Sequence, residues 1–134
     1  MSEAPLLSTA ERFQPVVLVV DDDAFERKLV NQLMRMELYD VIFASTGGEA
    51  LGMLRKVRPD LILMDMDMPG ISGLETLRTL KASPAHSSIP VMMVTSHNER
   101  DVVVECLRAG AVDFVLKPLN REVFLGKITR FFAI

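Results

Sequence analysis

The chain has 134 residues, of which 49% are hydrophobic and 25% charged, with a net charge of -3 and a single cysteine. That describes one ordinary globular domain, long enough to bury roughly two-thirds of its unfolded surface. No basic run supports nucleic-acid binding, no apolar stretch reaches the roughly 18 residues of a membrane span, Cys106 has no disulfide partner, and Met1-Ser2-Glu3 lacks a signal-peptide pattern, so the cytoplasm is the expected compartment.

Residues 1–14 mix Ser, Pro, Glu and Ala and read as a flexible N-terminal arm, with Leu6, Leu7 and Phe13 able to dock. The domain proper is expected over 15–134. Val16-Val17-Leu18-Val19-Val20 is a continuous apolar run, as expected of a buried parallel strand, and it ends on Asp21-Asp22-Asp23. From residue 24 to about 37, Phe25, Leu29, Val30, Leu33, Met34 and Leu38 recur at helical spacing. Val41-Ile42-Phe43-Ala44 is a second strand. Thr46-Gly47-Gly48-Glu49 fits a capping box and opens a helix to about residue 57, with Ala50, Leu51 and Leu54 inward.

The central strand is Leu61-Ile62-Leu63-Met64, which runs into Asp65 and then the turn signal Pro69-Gly70. Ser72-Gly73-Leu74-Glu75 is a second capping box, opening a helix through Leu80. A fourth strand is expected from Ile89 to Val94, ending on Thr95-Ser96. Asn98 or Glu99 starts a helix that Gly110 stops. Asp113 to Leu116 is a short fifth strand, ending on Lys117-Pro118. Asn120 caps a last helix, whose apolar face is expected to hold Leu125, Ile128, Phe131 and Phe132.

Strands alternating with helices predict an α/β doubly wound sandwich with a parallel sheet and helices on both faces. In such a sheet the carboxyl ends of the strands share one edge, which is where ligands bind. Asp21, Asp22, Asp65, Thr95 and Lys117 all stand at those ends. Three carboxylates brought together repel by several kcal/mol at an effective dielectric of about 20. They therefore call for a cation, and hard oxygen ligands without imidazole or thiolate favour Mg2+. A carboxylate nucleophile, a divalent ion, a lysine and a hydroxyl are the parts needed to receive a phosphoryl group.

From about Val16 to the end, the chain resembles the receiver domain of two-component response regulators. The resemblance rests on Asp21-Asp22 after the first strand, Asp65 followed by Met-Pro-Gly and a second glycine, Val94-Thr95-Ser96, and Lys117-Pro118. It implies a flavodoxin-like five-stranded sheet in the order 2-1-3-4-5. It implies that Asp65 accepts a phosphoryl group from a sensor histidine kinase or histidine phosphotransfer protein. Asp22 and Asp65 would ligate Mg2+ directly, Asp21 through water, and the backbone carbonyl of Asp67 would complete the protein's share. Lys117 would hold phosphoryl oxygens, and Pro118 would follow a cis bond. Thr95 and Phe114 would move on phosphorylation and alter the face of the fourth helix, fifth strand and fifth helix. That face would control a downstream protein partner or a covalently linked output domain, and would offer a homodimer surface. The domain would be a switch rather than an enzyme acting on a separate substrate.

Two departures matter. Asp67 adds an acid two residues after the acceptor, where its charge is expected to repel phosphate or alter metal affinity. Phe114 replaces a tyrosine and lacks its hydroxyl. Asp65-Met66-Asp67 also fits the Asp-x-Asp of haloacid-dehalogenase-like phosphatases, but that family carries it on the first strand. A phosphorylation-independent interaction module is the third reading. The remaining singular residues have plainer expectations: Asp23 as a cap, Cys106 as a small buried hydrophobe, the methionines as packing, and His86 and His97 as loop residues without a partner at metal-ligand spacing.

Overall fold

The five apolar runs form five parallel strands: β1 (Val16–Val20), β2 (Asp40–Ala44), β3 (Leu61–Asp65), β4 (Val91–Thr95) and β5 (Asp113–Leu116). The computed structural model describes residues 14–35 and 37–133. Between the strands lie α1 (Ala24–Arg35), α2 (Gly47–Met53), α3 (Gly73–Ala82) and α4 (Arg100–Arg108), with α5 (Arg121–Phe132) last. The sheet order is β2-β1-β3-β4-β5, every pair parallel, which is the flavodoxin-like arrangement. The expected arm falls almost wholly on residues outside the described set, as does Ile134.

The central strands are buried on both faces, so their side chains split by period two into two cores. Leu61 and Leu63 of β3 join Val17, Val19, Val30, Met34, Phe124 and Ile128 on the α1–α5 side. Ile62 and Met64 join Leu18, Val20, Ala50, Leu77, Leu80 and Cys106 on the α2–α3–α4 side. Every residue of β3 is buried, including Asp65. Cys106 is 1% exposed, as expected of a small hydrophobe.

The capping signals differ in outcome. Ser72 forms the full capping box, its hydroxyl accepting from Glu75 N and Glu75 Oε1 accepting from Ser72 N at 3.1 Å. Thr46 accepts from Glu49 N, but the Glu49 side chain accepts from Ser45 N, one residue further back. Asp23 caps α1 by accepting from Phe25 N at 2.8 Å. Gly110, at φ 112°, ends α4 in a conformation that glycine adopts without strain.

Several boundaries and faces depart from the sequence reading. α1 ends at Arg35, where Leu38 takes φ 65° and donates back to Arg35 O, a stop that no glycine announces. α2 ends at Met53, and isolated turns carry the chain past Lys56. β4 begins at Val91, because Pro90 has no amide hydrogen to join a ladder. α4 begins at Arg100, with Glu99 capping by backbone alone. Phe25 and Leu38 are each 75% exposed, so neither is part of the α1 inner face. On α5 the fully buried pair is Phe124 and Ile128, one helical turn apart. Leu125, Phe131 and Phe132 are only partly buried against that core.

Candidate functional site

Parallel pairing carries the strand ends to one edge. Asp21 follows β1, Asp65 is the last residue of β3, Thr95 the last of β4, and Lys117 follows β5. One carboxylate oxygen from each of Asp21, Asp22 and Asp65 lies within 4.8 Å of the others. Asp21 and Asp65 are buried, while Asp22 faces solvent. Lys117 Nζ reaches across the edge to donate to Asp65 Oδ1 at 2.8 Å.

The electrostatics follow from that packing. Burial pushes the Asp21 carboxyl up to about 7, helped by a hydrogen bond with Glu26 and opposed by the Asp23 amide. Burial also raises Asp65 above the ordinary carboxylate range, even against the pull of Lys117. Burial disfavours the Lys117 charge, but Asp65 and Glu26 more than offset it and hold the ammonium above its usual value. The cluster thus holds more negative charge than one lysine balances. Its donors are all hard oxygens, which suits Mg2+ and fits neither zinc nor copper preferences.

Not every expected member touches the others. Thr95 is 1% exposed at the same edge, and its hydroxyl accepts from His97 N at 2.9 Å. Phe114 is half-buried, with Lys127 Nζ 4.5 Å above its ring and also donating to its backbone carbonyl. The Lys117-Pro118 bond is cis, as the resemblance implied.

Three contributors were invisible in the strand-end pattern. Glu26, from the first turn of α1, places Oε1 2.9 Å from Lys117 Nζ. Arg27 donates to Asp21 O at 2.7 Å and to Ser45 Oγ at 3.3 Å, tying the end of β1 to the loop after β2. His97 places Nε2 3.2 Å from Asp67, joining the loop after β3 to the loop after β4. Glu26 stands four residues before Val30, the spacing of one helix face, and that was the one available signal.

The Asp67 carboxylate is therefore engaged away from the acidic cluster. Its contact raises the His97 pKa above the ordinary histidine value of about 6.5, with Glu99 adding to the effect. A raised folded-state pKa contributes stability below the unfolded pKa, lost as pH rises through the folded value. Both partners are exposed, so the stabilisation is small. The titration itself is the better observable. Proton NMR of the imidazole should show Asp67→Asn moving His97 down toward its ordinary range, and an unchanged titration would remove Asp67 as the cause.

Residues 17–129 match the response regulator receiver domain family. The chain belongs to that family. The protein-glutamate methylesterase/protein-glutamine glutaminase of Bacillus licheniformis is 41% identical to this receiver over 107 residues, 76% of this chain and 29% of the relative. The DNA-binding response regulator MtrA of Mycobacterium tuberculosis is 34% identical over 112 residues, 84% of this chain and 48% of MtrA. The chain thus spans less than half the length of either. The chemotaxis protein CheY4 of Vibrio cholerae shares the fold at a TM-score of 0.82 and 30% identity, covering 88% of this chain and 98% of CheY4. A receiver domain is a signalling module of two-component phosphorelays. Among the described residues, no helix of this receiver is long and apolar enough to cross a membrane.

Proposed function

We propose that Asp65 is the phosphoacceptor of this receiver and that Mg2+ assists the transfer. The observation that carries the reading is the position of Asp65: buried at the end of the central strand, in one cluster with Asp21 and Asp22, and 2.8 Å from Lys117 Nζ. An Asp65 oxygen attacks the phosphorus of a phosphohistidine donor, the P–N bond breaks, and the histidine nitrogen takes up a proton. Asp21, Asp22, Asp65 and the backbone carbonyl of Asp67 would hold the metal, which neutralises charge on the transferring group when bound. Lys117 orients the acceptor carboxylate and supplies a positive charge for the phosphoryl oxygens. Water later hydrolyses the acyl phosphate, returning the Asp65 carboxylate and inorganic phosphate.

The readout follows from what surrounds the acceptor. Thr95 leaves its contact with His97 N to donate to the phosphoryl group, and Phe114, which lies under Lys127 Nζ, turns inward. Both residues belong to strands that border α4 and α5. The surface of α4, β5 and α5 therefore changes, with Leu107, Leu116 and Val123 already exposed on it. The donor is a sensor histidine kinase or histidine phosphotransfer protein in the cytoplasm. The recipient of the signal is a protein partner, a second copy of the chain through this face, or an output domain joined to residues 15–134. The chain acts as a switch that assists its own phosphorylation, with no separate substrate.

Intact mass after incubation with acetyl phosphate tests this. A gain of one phosphoryl group that needs Mg2+, and is absent in Asp65→Asn, is the expected result. No gain in the wild type, or an undiminished gain in Asp65→Asn, would overturn the assignment.

A further inference from the structure

Glu26 breaks the amphipathic pattern of α1. Val30, Leu33 and Met34 face the core, and Glu26, one turn before Val30, lies on that same side. Phe25 beside it is 75% exposed. The first turn thus turns a carboxylate inward and an aromatic ring outward, the reverse of what burial favours. Such an arrangement persists only where the carboxylate has polar partners. Glu26 finds its partner in the acceptor cluster, Lys117 Nζ at 2.9 Å. Its side chain is 27% exposed, so solvent screens this contact only in part.

The same ammonium therefore serves two anions, Asp65 at 2.8 Å and Glu26 at 2.9 Å. We propose that Glu26 is a further positioning residue of this site, one that competes with the phosphoryl group for Lys117 while strengthening the hold of the site on Mg2+. The inference rests on the reading of Asp65 as phosphoacceptor.

The charge count gives the two effects opposite signs. In the unmodified site, Mg2+ and Lys117 together balance the three aspartates. Glu26 leaves a negative charge in excess, and that excess favours the dication. Phosphorylation replaces the single charge of the Asp65 carboxylate by the roughly two of an acyl phosphate, a net gain of about one negative charge beside Lys117. The acyl phosphate then needs Lys117 undivided, and Glu26 both divides that charge and repels the newcomer. Replacing Glu26 by glutamine keeps the shape and a hydrogen-bonding oxygen but removes the charge. Like charges at this range shift an equilibrium by roughly tenfold or more.

Beryllofluoride, which sits on an acceptor carboxylate as a phosphoryl analogue without covalent turnover, is the probe. The receiver has no tryptophan, so fluorine NMR titration at saturating Mg2+ reads its affinity, and calorimetry reads Mg2+ alone. Glu26→Gln is expected to bind beryllofluoride roughly tenfold more tightly and Mg2+ several-fold more weakly. Glu26→Ala should move both in the same senses, which covers the case of a glutamine variant that folds poorly. A merely structural role would weaken both ligands together. That outcome, or an unchanged beryllofluoride affinity in both variants, overturns the proposal while the acceptor reading stands. A wild type that gives no Asp65-dependent beryllofluoride signal overturns the acceptor reading and this inference with it.

Discussion

Lys117→Ala is expected to cost the receiver about 2–3 kcal/mol of stability at pH 8 without Mg2+. Lys117 is the cation that meets both Asp65 and Glu26. Removing one partner of a buried ion pair strands the other, at a cost of roughly 3–5 kcal/mol when the pair is dry. This cleft opens to solvent, with Lys117 18% and Glu26 27% exposed, so the loss is set lower. At about 4 °C per kcal/mol for a chain of this length, the melting temperature falls by roughly 8–12 °C.

The pH dependence separates this from a packing defect. Burial already holds Asp21 near 7 and Asp65 above its ordinary range. Without the lysine, which holds it down by hydrogen bond and charge, Asp65 rises further. A carboxyl whose folded pKa exceeds its unfolded value of about 4 binds its proton more tightly in the folded state. Stability therefore increases as pH falls through the folded pKa toward 4. Lys117 itself has a raised pKa, so its own contribution is fully present below its ordinary value of about 10.4 and is constant between pH 5 and 8. The deficit of Lys117→Ala should thus shrink from pH 8 to pH 5, and Mg2+ at pH 8 should recover part of it. Denaturant unfolding across that range checks this. A deficit equal at both pH values would mean that the lysine stem acts by packing.

The strand ends were legible because a parallel sheet leaves little freedom. Once Val16–Val20, Leu61–Asp65 and Val91–Thr95 are read as buried strands running one way, Asp21, Asp65 and Thr95 must meet at one edge. The contacts that were missed come from a different geometry. Glu26, Arg27 and His97 reach the site from a helix turn and a loop, across chain separations that periodicity does not encode. Apolar spacing even pointed the wrong way at residue 25, since Phe25 and Leu29 share a stripe with Val30 and only the docking of α1 decides its edge. On α5 the same ambiguity favoured Leu125 over Phe124. Helix ends failed where the stop is made by an uncommon conformation, as with Leu38 at φ 65°.

Asp67 shows how a residue visible in the sequence can have a partner that is not. Its acid was visible two residues after Asp65. Its pairing with His97, 30 residues on, required both loops to fold over the same edge. The carboxylate is exposed and paired with an imidazole, so it ties the loop after β3 to the loop after β4.

Gly73→Ala should both destabilise the fold and disable the site, because Gly73 is where the two touch. It is the first residue of α3, and its amide donates to Met66 O at 3.0 Å. A Cβ placed there would stand 2.0 Å from Asp65 O and 2.9 Å from Met66 Cα. Both are backbone atoms, so no side-chain rotation relieves the clash. Alanine favours helix over glycine by up to about 1 kcal/mol. Overpacking against backbone costs roughly 1–3 kcal/mol or more. The clash wins, and a net loss of about 2 kcal/mol is expected. Relief requires α3 to back away or the end of β3 to shift, and the second displaces Asp65, the proposed acceptor. A misplacement near 1 Å lowers a positioned reaction by up to about a hundredfold, so phosphoryl yield from acetyl phosphate should fall at least tenfold. Gly52 and Gly126 supply the control, since both lie within helices and a Cβ there meets nothing within 4 Å. Alanine at either should stabilise the fold by about 0.5–1 kcal/mol and leave the yield unchanged. Wild-type stability and yield in Gly73→Ala would show that α3 can retreat freely, and that Asp65 does not depend on its packing.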